Sequence, residues 1–209
     1  GDARGAGTVE LARLLRPEGI SRFAVAELSE AQALRKAGLV EEEILMLRST
    51  TDKEELGGLL DLNVVCTIAS VEAGLALNAV AEARSTVAEA HVQVDSGLGF
   101  GGFFAGDVDK ILSAYRNLPN VAVSGIYTQI QARGLRRKEG MARLEAFFQL
   151  VKQLHAQQVE TGLTHISGSY ALLHWDWTGV EGGRVSPALR GPCRRGRGDG
   201  LLRVGYGEV

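Results

Sequence analysis

Short apolar runs recur along the chain, separated by stretches whose apolar residues are spaced as on helices. The runs are FAVAEL (23–28), ILML (44–47), NVVCTI (63–68), AHVQVD (90–95), VAVSGIYT (121–128), THIS (164–167) and, more weakly, GRVS (183–186). Runs of this length, rich in β-branched residues, predict strands. Between 107 and 117, Val108, Ile111, Leu112 and Tyr115 recur at i, i+3, i+4 and i+7, which predicts a helix with one buried stripe. Met141, Leu144, Phe148, Val151 and Leu154 trace a similar stripe over 141–154. Ser29 with Gln32, and Asp52 with Glu55, have capping-box spacing and predict helix starts. Gly38, soon after Lys36, predicts a helix stop.

Strand–helix alternation of this kind implies a parallel sheet covered by helices. Seven strands fit either an open doubly wound sheet or a closed eight-stranded barrel. The barrel would place its remaining strand just before Gly1. There is no internal repeat beyond the alternation. The segment LRGPCRRGRGDG (189–200) reads as a turn or tail outside the packed core, with a basic nucleic-acid contact as the sharper alternative.

In both architectures the working residues belong at the carboxyl ends of the strands. Those ends carry Glu27, Asp95, Thr128–Gln129, Ser167–Gly168–Ser169 and Ser186. In HVQVDSGLGFGGF (91–103) a strand stops on Asp95 and four glycines follow within seven residues. Bare backbone at a strand end lets a ligand come close. SGSY (167–170) opens a helix after a strand. Its free N–H groups and the helix dipole suit an anion; the alternative is that Ser167 or Ser169 simply caps the helix. Arg184 follows two glycines in the last strand; turned into a barrel mouth it requires an anion or a ring acceptor.

Bulk properties narrow the class. The 209 residues suffice for one sizeable domain, and 45% hydrophobic with 23% charged residues is ordinary for a soluble globular protein. A net charge of -2 argues against a nucleic-acid or membrane-surface partner. No apolar run approaches the roughly 18 residues of a membrane span. The start, GDARGAG, has neither a signal-peptide pattern nor a Met, which suggests a fragment or a processed product. Cys66 lies in an apolar run and reads as a buried thiol. With Cys193 the only other cysteine, there is no disulfide framework, and a cytoplasmic location fits.

The order of these pieces resembles the N-terminal barrel of the alanine racemase family, the pyridoxal-phosphate (PLP) enzymes of fold type III. RFAVAELSEAQALRKAGLVEEEILML is similar to the family's second strand, its helix and third strand. HVQVDSGLGFGGF resembles its HVKVDTGMGRLGF segment, VSGIYTQI its VEGIYTHF strand, and HISGSYALL its H-x-x-N-S-x-x-L motif. GRVSPALRG sits where the family has an Arg followed by a phosphate-contacting turn, and RVGYGEV resembles the start of its C-terminal β-domain. Six segments in the right order cover the chain almost end to end. The fold class that this implies is α/β, a (β/α)8 TIM-type barrel lacking its first strand. Residues 1–191 would form the barrel and 192–209 a basic linker with the start of a C-terminal β-domain.

The resemblance implies interconversion of L- and D-alanine with PLP as cofactor. In the family a lysine at the end of the first strand forms a Schiff base and removes the α-proton. A tyrosine from the partner subunit's C-terminal domain reprotonates the other face, so a homodimer acting on an amino acid is implied. Here GDARGAG fits the lysine's motif from just after that residue, so the catalytic lysine would precede Gly1 and no catalytic residue falls within the chain. Carried over to this sequence, Arg184 matches the Arg at the pyridine nitrogen and Ser169 the phosphate serine. Arg4 stands for a phosphate-binding tyrosine, Gly168 for an Asn, Gln129 for a His, and Ser186 with Pro187 for small residues that give backbone contacts. Phe100 replaces an Arg that contacts the cofactor, and Gln93 replaces a modified lysine. No metal site is read. These departures leave a second reading open, a non-catalytic PLP-binding or degenerate barrel.

Overall fold

The computed structural model describes residues 7–97, 99–130, 137–167 and 182–184. Helix α1 (Thr8–Leu15) and a 3-10 turn (Arg16–Glu18) precede β1 (Arg22–Val25). Then follow α2 (Leu28–Lys36), β2 (Glu43–Met46), α3 (Lys53–Asp61), β3 (Cys66–Ile68), α4 (Val71–Ala83) and β4 (Ala88–Asp95). The short β5 (Phe103–Phe104), α5 (Val108–Arg116), β6 (Val121–Gln129), α6 (Arg137–Ala156), β7 (Leu163–Ser167) and β8 (Gly182–Arg184) complete the described chain.

All strand pairs are parallel, and neighbours follow sequence order from β3 through β4, β6 and β7 to β8. β1 pairs with β2, and β2 joins β3 through a Leu45–Val65 bridge and two backbone hydrogen bonds of 2.8 and 2.9 Å. A doubly wound sheet reverses its strand order at a switch point; this one never does. The architecture is therefore the α/β barrel type, helices outside and a filled interior.

Alternation along each strand sorts the side chains. Ile44, Met46, Ile68, Val92, Val94, Ile126 and Ile166 face the helices and form one core with Leu34, Leu59, Leu77, Ile111, Leu144 and Phe147. Each such side chain contributes on the order of 1.5–3 kcal/mol of burial. Leu45, Val65 and Tyr127, with Ala24, Leu47 and Leu163 against them, form a separate cluster inside the barrel.

The predicted stops and starts meet mixed outcomes. Asp52 caps α3, its Oδ1 accepting from Glu55 N–H at 2.8 Å. Gly38 follows α2 at φ 90°, and Leu39 N–H returns to Leu34 C=O, closing the helix end. The box at Ser29–Gln32 is not formed. Ser29 lies inside α2, whose N-cap is Glu27, and Glu30 Oε2 accepts from the Ala26 and Glu27 N–H groups. Strand β1 accordingly ends at Val25, before the end of the apolar run. On α6 the buried stripe runs through Leu144, Phe147, Leu150, Val151 and Leu154, while Met141 is exposed.

β6 carries an irregularity. Its register against β4 runs Ala90↔Val123 and then His91↔Gly125, leaving Ser124 as an extra residue. A bulge of one residue reverses the inside–outside alternation. Val121 and Val123 therefore pack towards the helices, whereas Tyr127 turns inward. Gly162 packs against this bulge; a Cβ there would lie 2.1 Å from Ser124 O.

The amino-end floor is charged. Arg22 Nε pairs with Glu43 Oε2 at 3.2 Å. Burial nevertheless pushes the Glu43 carboxyl above its usual range; Arg22 opposes this and Glu89 adds to it. An acid with a raised folded-state pKa binds its proton more tightly when folded, so stability falls as pH rises from the ordinary carboxylate range through the raised value. Glu43→Gln should raise the melting temperature at pH 7, with the gain disappearing below about pH 4. No gain at pH 7 would contradict this account of the floor.

Candidate functional site

Three rows of residues cross the strands inside the barrel. The lowest contains Thr67, His91, Gly125 and Leu163 in register. Above it lie Gln93, Tyr127, His165 and Gly182. At the carboxyl ends Gln129, Ser167 and Arg184 share a row across β6, β7 and β8. Adjacent strands stand about 4.8 Å apart, so this row places Arg184 two strand spacings from Gln129.

Gly125 makes the first two rows possible. A Cβ there would lie 2.6 Å from the His91 ring. With only hydrogen at that position, the ring lies over the strand and His91 Nδ1 meets His165 Nε2 at 3.0 Å. One nitrogen of the pair donates and the other accepts. Tyr127 stacks on His165 with ring centroids 4.8 Å apart and 17° between planes.

Thr67 Oγ1 donates to Met46 C=O at 2.7 Å, so it meets the Tyr127 hydroxyl at 3.1 Å as an acceptor. The single proton of that hydroxyl is shared among Thr67 Oγ1, Gln93 Oε1 at 3.3 Å and Leu47 C=O at 3.4 Å. Buried polar groups require such partners. His91, Gln93, Tyr127 and His165 form a web that links β2, β3, β4, β6 and β7. The sequence held a partial signal for it: His91 and Gln93 fall at alternate positions of a strand that is buried on both faces. Only Gln93 had been singled out there, and only by resemblance.

The glycine segment after β4 is closed upon itself. Asp95 Oδ1 accepts from Gly97 N–H at 2.9 Å, and Asp95 Oδ2 from Gly99 N–H at 3.0 Å. Ser96 Oγ donates to Gln129 C=O at 2.6 Å, fastening the segment to β6. At its far end β5 pairs with Val94 and Asp95. Gly102, at φ 114°, lies so close that a Cβ would be 2.8 Å from Gln93 O and Asp95 N. The close approach expected of these glycines is thus to the chain's own β4. Two amide N–H groups that an anion could have used are taken by Asp95. Phe100 stands half-exposed at the crown.

A cavity of about 370 Å3 lies outside the barrel, between this segment and α6, lined by Val94, Phe104, Ala146 and Phe147 among others. Its guanidinium, from Arg143, donates to Gly97 C=O at 3.2 Å. Cys66 is buried as expected, and burial pushes its thiol up to about 12. It is therefore inert at neutral pH.

Arg4, Gly168, Ser169, Ser186, Pro187 and the span 192–209 lie outside the described residues. Among the described residues no helix is long and apolar enough to cross a membrane, and no cluster of three or more His, Cys, Asp or Glu could hold a metal ion.

The family model described as alanine racemase, N-terminal domain, matches residues 1–185. The chain belongs to the alanine racemase family. It is 33% identical over 174 residues to the alanine racemase of Carboxydothermus hydrogenoformans, covering 82% of this chain and 46% of that protein. It is 30% identical over 178 residues to the serine/alanine racemase of Enterococcus gallinarum, covering 83% of this chain and 24% of that one. The solved alanine racemase of Clostridium difficile 630 in complex with cycloserine superposes with a TM-score of 0.76 at 27% identity, over 82% of this chain and 47% of that structure. The chain thus spans about half the length of the curated alanine racemases it matches.

Within this alanine racemase-family barrel, Asp95 has a testable structural part. Asp95→Ala frees two N–H groups of the glycine segment and should cost about 1–2 kcal/mol, a typical sum for two such bonds. Asp95→Asn keeps one amide oxygen as acceptor and should cost less. Urea unfolding of the three proteins measures the order.

Proposed function

We propose that the protein is a PLP-dependent amino-acid racemase of the alanine racemase type, with this barrel as its cofactor-holding part. The observation that carries the reading is the row Gln129, Ser167 and Arg184 at the carboxyl ends of three adjacent strands. Its donor set is a guanidinium, a hydroxyl and an amide, with no carboxylate, which fits an anionic phosphate and a ring acceptor. The Asp95-closed segment, which follows β4 and is fastened to Gln129, offers little to an anion, so the phosphate belongs with β7 and β8.

In this reading Ser169, with the backbone at Gly168 and Ser186, holds the phosphate, and Arg4 adds a bidentate contact. Arg184 meets the pyridine nitrogen. A fixed cation there disfavours a second positive charge and keeps that nitrogen unprotonated. Gln129 offers an uncharged amide at the mouth. Bound PLP supplies the electron sink that labilises the substrate's α-proton. All five lysines of the sequence, Lys36, Lys53, Lys110, Lys138 and Lys152, lie on helices. The linking amine is therefore assigned to sequence outside these 209 residues, and the second base to a partner subunit of a cytoplasmic homodimer. Alanine is the substrate of choice, with serine next, by the names of the relatives.

The test is a PLP titration of the purified protein and of Arg184→Ala, followed by absorbance, with borohydride reduction at saturation. Saturable binding weakened at least about tenfold in the variant supports the reading; a tenfold loss is about 1.4 kcal/mol, the size of one charge-assisted bond. Unchanged affinity in the variant, or attachment of PLP to any of the five helical lysines, overturns the site assignment.

A further inference from the structure

Gln93 is buried in the second row, and its two ends meet different elements. Its Oε1 lies 3.3 Å from the Tyr127 hydroxyl, inside the barrel. Its Nε2 donates to Phe100 C=O at 3.4 Å, at the crown of the glycine segment. The other fastenings of that segment hold its two ends. Asp95 binds Gly97 and Gly99, and β5 with Gly102 rests on β4. Gln93 alone among the described residues reaches the crown from within the barrel.

We propose that Gln93 is a positioning residue whose amide couples the Tyr127 web to the crown of the glycine segment, and so sets where Phe100 stands at the barrel mouth. The position demands an acceptor towards Tyr127 and a donor towards a carbonyl. A neutral amide provides both. A carboxylate provides only acceptors and turns a negative charge on the Phe100 carbonyl. A protonated carboxyl again provides both. The effect on cofactor binding rests on the racemase reading; the effect on the segment does not.

The experiment is amide hydrogen exchange of the purified protein without PLP, comparing Phe100–Gly102 with Val92–Val94 of β4 after correction for intrinsic rates. Gln93→Glu should exchange about fivefold faster at the crown at pH 7, the equivalent of one neutral hydrogen bond. It should regain protection on acidification, once its carboxyl holds a proton. Gln93→Ala should exchange faster at both pH values, with the β4 amides unchanged in either variant. Unaltered crown exchange in Gln93→Glu overturns the proposal. So does acceleration of crown and β4 together, which would mark a merely structural side chain. If PLP binding fails while the crown pattern holds, the cofactor assignment falls and the positioning role stands.

Discussion

The interior of this barrel depends on one bulge. Strand side chains alternate with a period of two, so a β6 that kept Ser124 as a regular strand residue would aim Ile126 and Thr128 inward and send Tyr127 and Gln129 into the helix layer. The bulge reverses that choice half-way along the strand. Above it, Tyr127 reaches Thr67 and Gln93, and Gln129 joins the row of Ser167 and Arg184. Below it, Val121 and Val123 remain available to the core. The same strand thus supplies hydrophobic packing at its start and mouth chemistry at its end.

The polar web above the bulge carries rigidity rather than reactivity. His91 is bonded to His165, and Tyr127 to Thr67 and Gln93, across neighbouring strands, so an error in strand spacing would leave a polar atom unsatisfied in a low-dielectric interior. This fixes β4, β6 and β7 relative to one another, and with them the two sides of the mouth. Those sides differ in character. After β4 the Asp95 carboxylate has folded back on its own backbone amides; at the ends of β7 and β8 the register sets Ser167 beside Arg184.

Much of this was legible in the sequence. The apolar runs marked the strands, because a parallel sheet under helices needs continuous hydrophobic positions on its outer face. Asp52 and Gly38 marked helix ends through local chemistry that no tertiary contact overrode. Ser29 misled because Glu30 reaches back to the backbone of Ala26 and Glu27, which starts α2 earlier than a Ser-based cap would. Met141 misled because the buried stripe of α6 passes through its neighbour Gly140 and leaves Met141 on the outer face. β5 could not be read, since two phenylalanines become a strand only through pairing with Val94 and Asp95. The bulge left a trace in the Ser–Gly pair inside VAVSGIYT, where a glycine interrupts a strand pattern. Its consequence, the inward turn of Tyr127, is a matter of counting residues across two strands and is invisible in either alone.

The interlock of Ser124, Gly125, Gly162 and His91 has a meaning for how such a chain can change over time. The His91 ring occupies the space above Gly125, and Gly162 lies against the Ser124 carbonyl. A larger residue at 125 becomes tolerable only beside a smaller one at 91, and a side chain at 162 only if the bulge is remodelled. These positions are therefore coupled in two pairs, 91 with 125 and 124 with 162. A descendant that kept Ser124 but straightened the bulge would lose the inward turn of β6, and the mouth would become a different site on an otherwise unaltered barrel.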